Sequence, residues 1–261
     1  MAVLTWDELE NRQYEGGVDH GVLYLTSGIA VPWNGLVSVT EKPEQSFTET
    51  FFGGIKTAAL VNYGEFVGNL KAITYPDEFA ALEGYASIKT GITIADQPQG
   101  SFHLSYRTAA QDANDQQWNK IHILYNMMAT PLDKPFNSQS STPSLTLFEW
   151  EIRSRGSAIT NMRPSAHIII DTRDTDPLLL EELEVMLYGS AEEAPSLPSI
   201  SSLVSTISSW FRLTITDNGD GTWAASTELD DVIEMLSPDE FQITSPSTTE
   251  INSYTYTVSN A

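Results

Sequence analysis

The segment Ser101-Phe102-His103-Leu104-Ser105-Tyr106-Arg107-Thr108 alternates with a period of two. Phe102, Leu104 and Tyr106 fall on one face, and Ser, His and Arg on the other. That alternation predicts a half-buried strand. Gly21–Thr26, Leu36–Glu41, Ile92–Ala95, Lys120–Met128, Leu145–Arg153 and Ala166–Asp171 are further β-rich runs between Gly, Pro, Asn or Asp punctuators. Within Leu145-Thr146-Leu147-Phe148-Glu149-Trp150-Glu151-Ile152 the apolar set changes parity at Leu147/Phe148, which predicts a bulge or bend there.

Two segments break the β pattern. Asp176-Pro177-Leu178 through Tyr188-Gly189 has an Asp at the N-cap position, Pro at the first helical position, acids in its early turns and Gly at its end. Leu179, Leu183, Met186 and Leu187 then form one stripe, so an amphipathic helix should lie on the sheets. After Tyr75-Pro76, residues Asp77–Gly84 read as a short helical turn.

Glu192-Glu193-Ala194-Pro195-Ser196-Leu197-Pro198-Ser199 reads as a linker. It separates a main domain, 1–198, from a small acidic β-rich unit, 199–261. In that unit Ser201–Trp210 suggests a short helix. Phe211–Thr216 and Thr222–Ala225 suggest a hairpin around Asp217-Asn218-Gly219-Asp220-Gly221, and Phe241–Thr244 and Tyr254–Val258 further strands. Read as a calcium loop, with Gly221 at its sixth position, this turn would have Thr216 and Thr227 where the end ligands belong. A glycine-assisted turn fits better. No period of 20–50 residues repeats, which argues against solenoids and propellers.

Charge narrows the partners. The 261 residues contain 13 Lys+Arg against 35 Asp+Glu, a formal charge of −22. Residues 191–261 hold 11 of the acids and one base, Arg212. Such a chain lacks the clustered cations that track phosphates, and it should avoid anionic membranes. With 41% hydrophobic residues it can still build a core. The absence of Cys excludes disulfides, thiolate chemistry and Cys-ligated metals. Met1–Glu8 shows no signal-peptide pattern and no apolar run is long enough to span a bilayer, so we expect no membrane anchor.

Candidate chemistry is sparse. His20, His103, His122 and His167 are scattered, with no HExxH or HxxxH spacing, and read as structural or surface residues, with a metal or base role, through a cluster in space, as the alternative. There is no phosphate-binding glycine loop and no GxSxG elbow. We expect no enzyme, no catalytic or metal residues and no cofactor. Trp6, Tyr14, Trp33, Tyr75 and Phe79 read as core and subunit packing, with a carbohydrate or peptide groove as the alternative.

Several phrases, in order, resemble the major tail protein, or tail-tube subunit, of long flexible-tailed bacteriophages of Gram-positive, actinobacterial hosts. They are Tyr14-Glu15-Gly16-Gly17-Val18-Asp19-His20-Gly21-Val22-Leu23-Tyr24, Trp33-Asn34-Gly35-Leu36, Thr74-Tyr75-Pro76-Asp77-Glu78-Phe79 and Phe102–Thr108. Ile121-His122-Ile123-Leu124-Tyr125-Asn126, Phe148-Glu149-Trp150, Pro164-Ser165-Ala166-His167 and Leu187-Tyr188-Gly189 complete the series. Phe241–Pro246 with Tyr254–Val258 is similar to the ending of longer members. The sequence departs from the family pattern at His20, at Gly53-Gly54-Ile55-Lys56 and at Ser154-Arg155-Gly156.

The resemblance implies a mainly β fold, a sandwich or barrel with a flanking helix. Hexameric rings would stack into a tube that surrounds a tape-measure protein and later conducts DNA without sequence-specific binding. Tail terminator and distal-tail proteins would close its ends, and the chain would reside in the virion. Two extended loops are candidates for bridging rings, Lys42–Phe52 and Lys134–Pro143, with Phe47, Phe51, Phe52 and Phe136 as interface residues. A distal-tail or baseplate ring protein is the alternative within the virion. A glycan-binding β-sandwich using Trp33 and Trp118 is the alternative outside it.

Overall fold

The structure, a computed structural model, describes residues 12–52, 55–132, 134 and 145–210, and the strands within 213–257. Side chains are described for 12–42, 65–132, 134 and 145–210. The chain divides into two compact units, Met1–Val204 and Ser205–Ala261, against the expected division after residue 198.

The first unit is an antiparallel sheet built from β1 (Gln13–Leu25), β2 (Ala30–Pro32), β3 (Leu36–Phe52), β4 (Ile55–Ala72), β7 (Phe102–Asp112), β8 (Gln117–Pro131), β9 (Phe148–Ser154) and β10 (His167–Asp171). A small hairpin, β5 (Ala86–Lys89) with β6 (Ile92–Ile94), stands apart from it. Strand order is β2-β1-β7-β8-β9-β4-β3. β10 joins at β8, pairing with Lys120–Leu124, while β9 pairs with Met128–Pro131 further along the same strand. β8 therefore belongs to two half-sheets, as in sandwiches whose strands switch layers.

Both halves contribute to one core. Leu23, Phe102 and Leu104 come from β1 and β7, and Leu70, Trp150 and Ile152 from β4 and β9, all fully buried. At its centre is Phe79, from α1 (Asp77–Leu82). Its ring lies 4.6 Å from Trp33, 5.2 Å from Trp150, 5.3 Å from Phe102 and 6.0 Å from Tyr75, centroid to centroid. A six-residue helix with no side-chain cap would not persist alone, so this buried ring is what holds α1 in place.

The predicted flanking helix is α2 (Pro177–Tyr188). Asp176 Oδ1 accepts the Leu178 N–H at 2.8 Å, Leu183 and Leu187 are buried, and Gly189 ends the helix at φ 79°. Tyr24 on β1 donates its hydroxyl to the Leu187 carbonyl at 2.7 Å, tying helix to sheet. α3 (Ile200–Ser209) follows, close to its expected span. No helix among the described residues is long and apolar enough to cross a membrane.

In the second unit β11 (Leu213–Asp217) pairs with β12 (Trp223–Thr227), the expected hairpin. β13 (Val232–Ser237), β14 (Glu240–Ser245) and β15 (Asn252–Thr257) form a three-stranded sheet. The Asn218–Gly221 part of the turn lies outside the described residues.

Two expectations change, and one strand is new. Lys42–Phe52 is no loop: it is the outer part of strand β3, which pairs with β4 from Leu36↔Ala72 to Phe52↔Ile55 through three register shifts. The parity change at Leu147/Phe148 is no bulge, because β9 begins at Phe148 and Leu145 and Leu147 precede it, exposed. β4 itself was not predicted, since Gly64 and Gly68 interrupt its alternation. Gly68 is required there: a Cβ would lie 2.8 Å from the Thr40 carbonyl oxygen on the neighbouring strand.

Candidate functional site: the β3–β4 ribbon and a histidine cluster

β9 covers β4 only from Phe66 to Ala72. Beyond that point the hairpin continues as a two-stranded ribbon from Gln45↔Tyr63 to Phe52↔Ile55, and no other strand pairs with it among the described residues. β3 is moreover the last strand of its sheet. One edge of β3 and the outer edge of β4 therefore present backbone N–H and C=O groups without a ladder partner.

Of the expected interface residues, Phe47, Phe51 and Phe52 lie on this ribbon, opposite Val61, Lys56 and Ile55. Their side chains lie outside the described residues, as does Phe136 with most of Lys134–Pro143. Lys134 itself turns inward. Its amine pairs with the buried carboxylate of Glu83, whose other oxygen, Oε2, has no hydrogen-bond partner among the described residues.

The aromatic residues weighed for a ligand groove divide. Trp33, Tyr75 and Phe79 pack with Trp150 in the core, and Tyr14 is exposed. Trp6 lies outside the described residues. Trp33 and Trp118, the pair on which a glycan site would depend, are 3% and 9% exposed. The Trp118 ring is covered by the Arg173 guanidinium at 4.5 Å. Neither offers the open platform that sugar stacking needs.

The histidines are not all scattered. His122 on β8 and His167 on β10 lie on adjacent paired strands, and Glu41 on β3 reaches them from the other half-sheet. His122 Nδ1 is 3.0 Å from His167 Nε2 and 3.5 Å from Glu41 Oε1, and His167 Nδ1 is 3.7 Å from Glu41 Oε2.

Surrounding groups fix the orientation of these side chains. Tyr106 donates its hydroxyl to Glu41 Oε1 at 2.8 Å and stacks on His122 with centroids 4.7 Å apart. Thr108 Oγ1 donates to Glu15 Oε1 at 2.8 Å and lies 3.1 Å from His122 Nε2. Lys120 holds the other oxygen of Glu15 at 2.6 Å.

The electrostatics follow from that geometry. Hydrogen bonding to His122 holds the Glu41 carboxyl down at about 2, against the opposing effect of its burial. Burial pulls His167 down to about 4, with Glu41 opposing. The Lys120 ammonium keeps Glu15 below its ordinary value. Near neutral pH this is a half-buried, uncharged ring on β10 facing a carboxylate, Glu41, that stays ionised.

Sequence reading did not find this group because its members are far apart in the chain. The one available signal was that both histidines fall on predicted strands. His20 and His103 stand apart from it. His20 pairs with Asp19 at 3.0 Å in the exposed bulge of β1, and His103 Nδ1 accepts the Asn126 N–H at 3.0 Å.

No family model matches this chain, and no curated protein does. Among solved structures, it is similar to a chain of the PVC sheath–tube complex, an extracellular contractile injection system in its extended state. Identity there is 10% and the TM-score 0.35, covering 59% of this chain and 89% of that one. It is also similar to a chain of the anti-feeding prophage baseplate, 6-fold symmetrised. That match has 8% identity and a TM-score of 0.29, over 64% of this chain and 97% of that one. Both likenesses are distant, and neither assigns a role to this chain.

Proposed function

We propose that this chain is a structural virion protein, the tail-tube subunit of a long flexible-tailed phage. It polymerises as stacked hexameric rings into the conduit for genome delivery. In this reading it carries no catalysis and needs no cofactor. Its partners are further copies of itself, a tape-measure protein in the lumen, and terminator and distal-tail proteins at the ends.

The observation that carries the reading is the β3–β4 ribbon. A two-stranded hairpin is marginal by itself in water, and its open edges invite pairing with another chain. Copies of one subunit that meet head to tail close into a ring around the axis and stay open along it. A ribbon projecting from each subunit is a suitable bridge between them. The charge of −22 fits a wall that lets DNA slide, because it offers few cations to hold phosphates. The ordered series of family-like phrases across residues 14–189 points the same way.

The test replaces residues 46–62 by Asn-Gly, so that a type I′ turn joins Gln45 to Tyr63, which already pair. Wild-type protein should form rings or tubes in electron micrographs at physiological salt. The variant should keep its circular dichroism and unfolding transition and sediment as a monomer. Tubes of unchanged length from the variant would refute the ribbon's role. A wild type that stays monomeric when concentrated would refute the tube. Separate rings that never stack would indicate a distal-tail or baseplate ring instead.

A further inference from the structure

The protons around His122 can be assigned by elimination. A carboxylate only accepts, so the one proton of the Thr108 hydroxyl goes to Glu15 Oε1. The Thr108 oxygen then receives the Nε2–H of His122. His122 Nδ1 faces His167 Nε2 at 3.0 Å and Glu41 Oε1 at 3.5 Å.

His167 Nδ1 lies 3.7 Å from Glu41 Oε2. Two ring nitrogens and a carboxylate thus converge from three strands on one point, a donor set that a cation would satisfy.

We infer that Glu41, His122 and His167 form a binding site for a divalent transition-metal ion of the zinc class, clasping β3 of one half-sheet to β8 and β10 of the other. The three residues offer ligand atoms that all lie within 4.8 Å of one another. An ion binding nitrogen and oxygen at ~2.0–2.1 Å in tetrahedral geometry sets its ligands roughly 3.3 Å apart. The 3.0 Å and 3.5 Å separations at His122 Nδ1 bracket that value.

Two imidazoles with one carboxylate suit zinc and its neighbours and are a poor set for Mg2+ or Ca2+, which take mainly oxygen ligands. The outer groups are those expected around a metal site. His122 Nε2–H is oriented by Thr108 and Glu15, and the Glu41 carboxylate by the Tyr106 hydroxyl. His122 is buried while Glu41 is 37% exposed, leaving an entry path and room for a solvent ligand on the Glu41 side. This inference does not depend on the tail-tube reading.

The experiment uses the full chain stripped with a chelator, then titrated with Zn2+ alone by calorimetry and with Co2+ alone by visible absorption. One ion per chain should bind. Co2+ should give the intense bands of a tetrahedral site, Zn2+ should raise the melting temperature, and Mg2+ should do neither. His167→Gln and Glu41→Gln should each weaken Zn2+ binding at least tenfold and abolish the thermal shift. Glu41→Gln keeps both rings in place, so it reads the site even if His167→Gln folds poorly.

Equal binding by wild type and Glu41→Gln would overturn the inference, as would several weak equivalent sites or no binding. A His122 ring that titrates by NMR as a stable imidazolium at neutral pH, indifferent to Zn2+, would overturn it in favour of a proton in the same place.

Discussion

Phe79 tests the account of the core most directly. It is fully buried, it is the buried residue of α1, and four aromatic rings lie within 6.0 Å of its centroid. Truncating a buried Phe to Ala costs about 3–5 kcal/mol, from lost burial and an incompletely collapsed cavity. Because α1 has no side-chain cap and six residues, Phe79→Ala should also release the helix, placing the loss at the upper end of that range.

Phe79→Leu keeps most of the burial and loses the ring–ring geometry. At about 0.5–1.5 kcal/mol per aromatic pair, summed with less than full additivity, it should cost roughly 2 kcal/mol. Against a typical stability of about 5–15 kcal/mol either change is large, and the Ala variant should melt roughly 6–20 °C lower. Urea unfolding followed by tryptophan fluorescence is the assay, because Trp33 and Trp150 both touch this ring. A loss below about 1 kcal/mol for Phe79→Ala would refute the reasoning, since no well-packed buried Phe behaves so. So would a Leu variant as unstable as the Ala one.

Three further outcomes can be measured. Lys134→Met strands the buried Glu83 carboxylate and should cost about 3–5 kcal/mol, most of it recovered in Lys134→Met with Glu83→Gln; no recovery in urea melts would show that the charge is not the cause. Asp176→Ala removes the N-cap of α2 and should cost about 1 kcal/mol, whereas Asp176→Ser should cost far less. Burial lowers the pKa of His103, whose Nδ1 must stay unprotonated to accept the Asn126 N–H. The unfolded chain therefore binds a proton first, and stability falls as pH drops below 6.5 toward the folded value. An NMR titration midpoint at or above 6.5 for His103 would contradict this, and His103→Asn should flatten that part of the stability profile.

The parts of the fold legible in the sequence are those where local pattern and tertiary role agree. Phe102, Leu104 and Tyr106 alternate because one face of β7 meets the core. Asp176, Pro177 and Gly189 mark α2 because helix ends need local solutions to their unpaired backbone groups. β4 escaped notice because Gly64 and Gly68 interrupt its alternation, and the outer part of β3 because its polar composition carries no apolar period. Lys42–Phe52, rich in Ser, Thr and Glu, consequently reads as a loop.

The parity change at Phe148 was visible but ambiguous, since a strand boundary and a bulge leave the same trace. Glu41, His122 and His167 gave no local signal. They meet because β10 pairs with β8 while β3 faces both, and that is a property of topology rather than of spacing.

β8 is the keel of the first unit. The hydrogen-bonded path from β7 to β9 runs through its 15 residues, and β10 is fastened to its other end. A pull on either half is therefore transmitted along one continuous backbone, with no seam at which the halves could part. Its amides should be the last to exchange with deuterium, and in the proposed tube bending would fall at the joints between subunits while each subunit stays rigid.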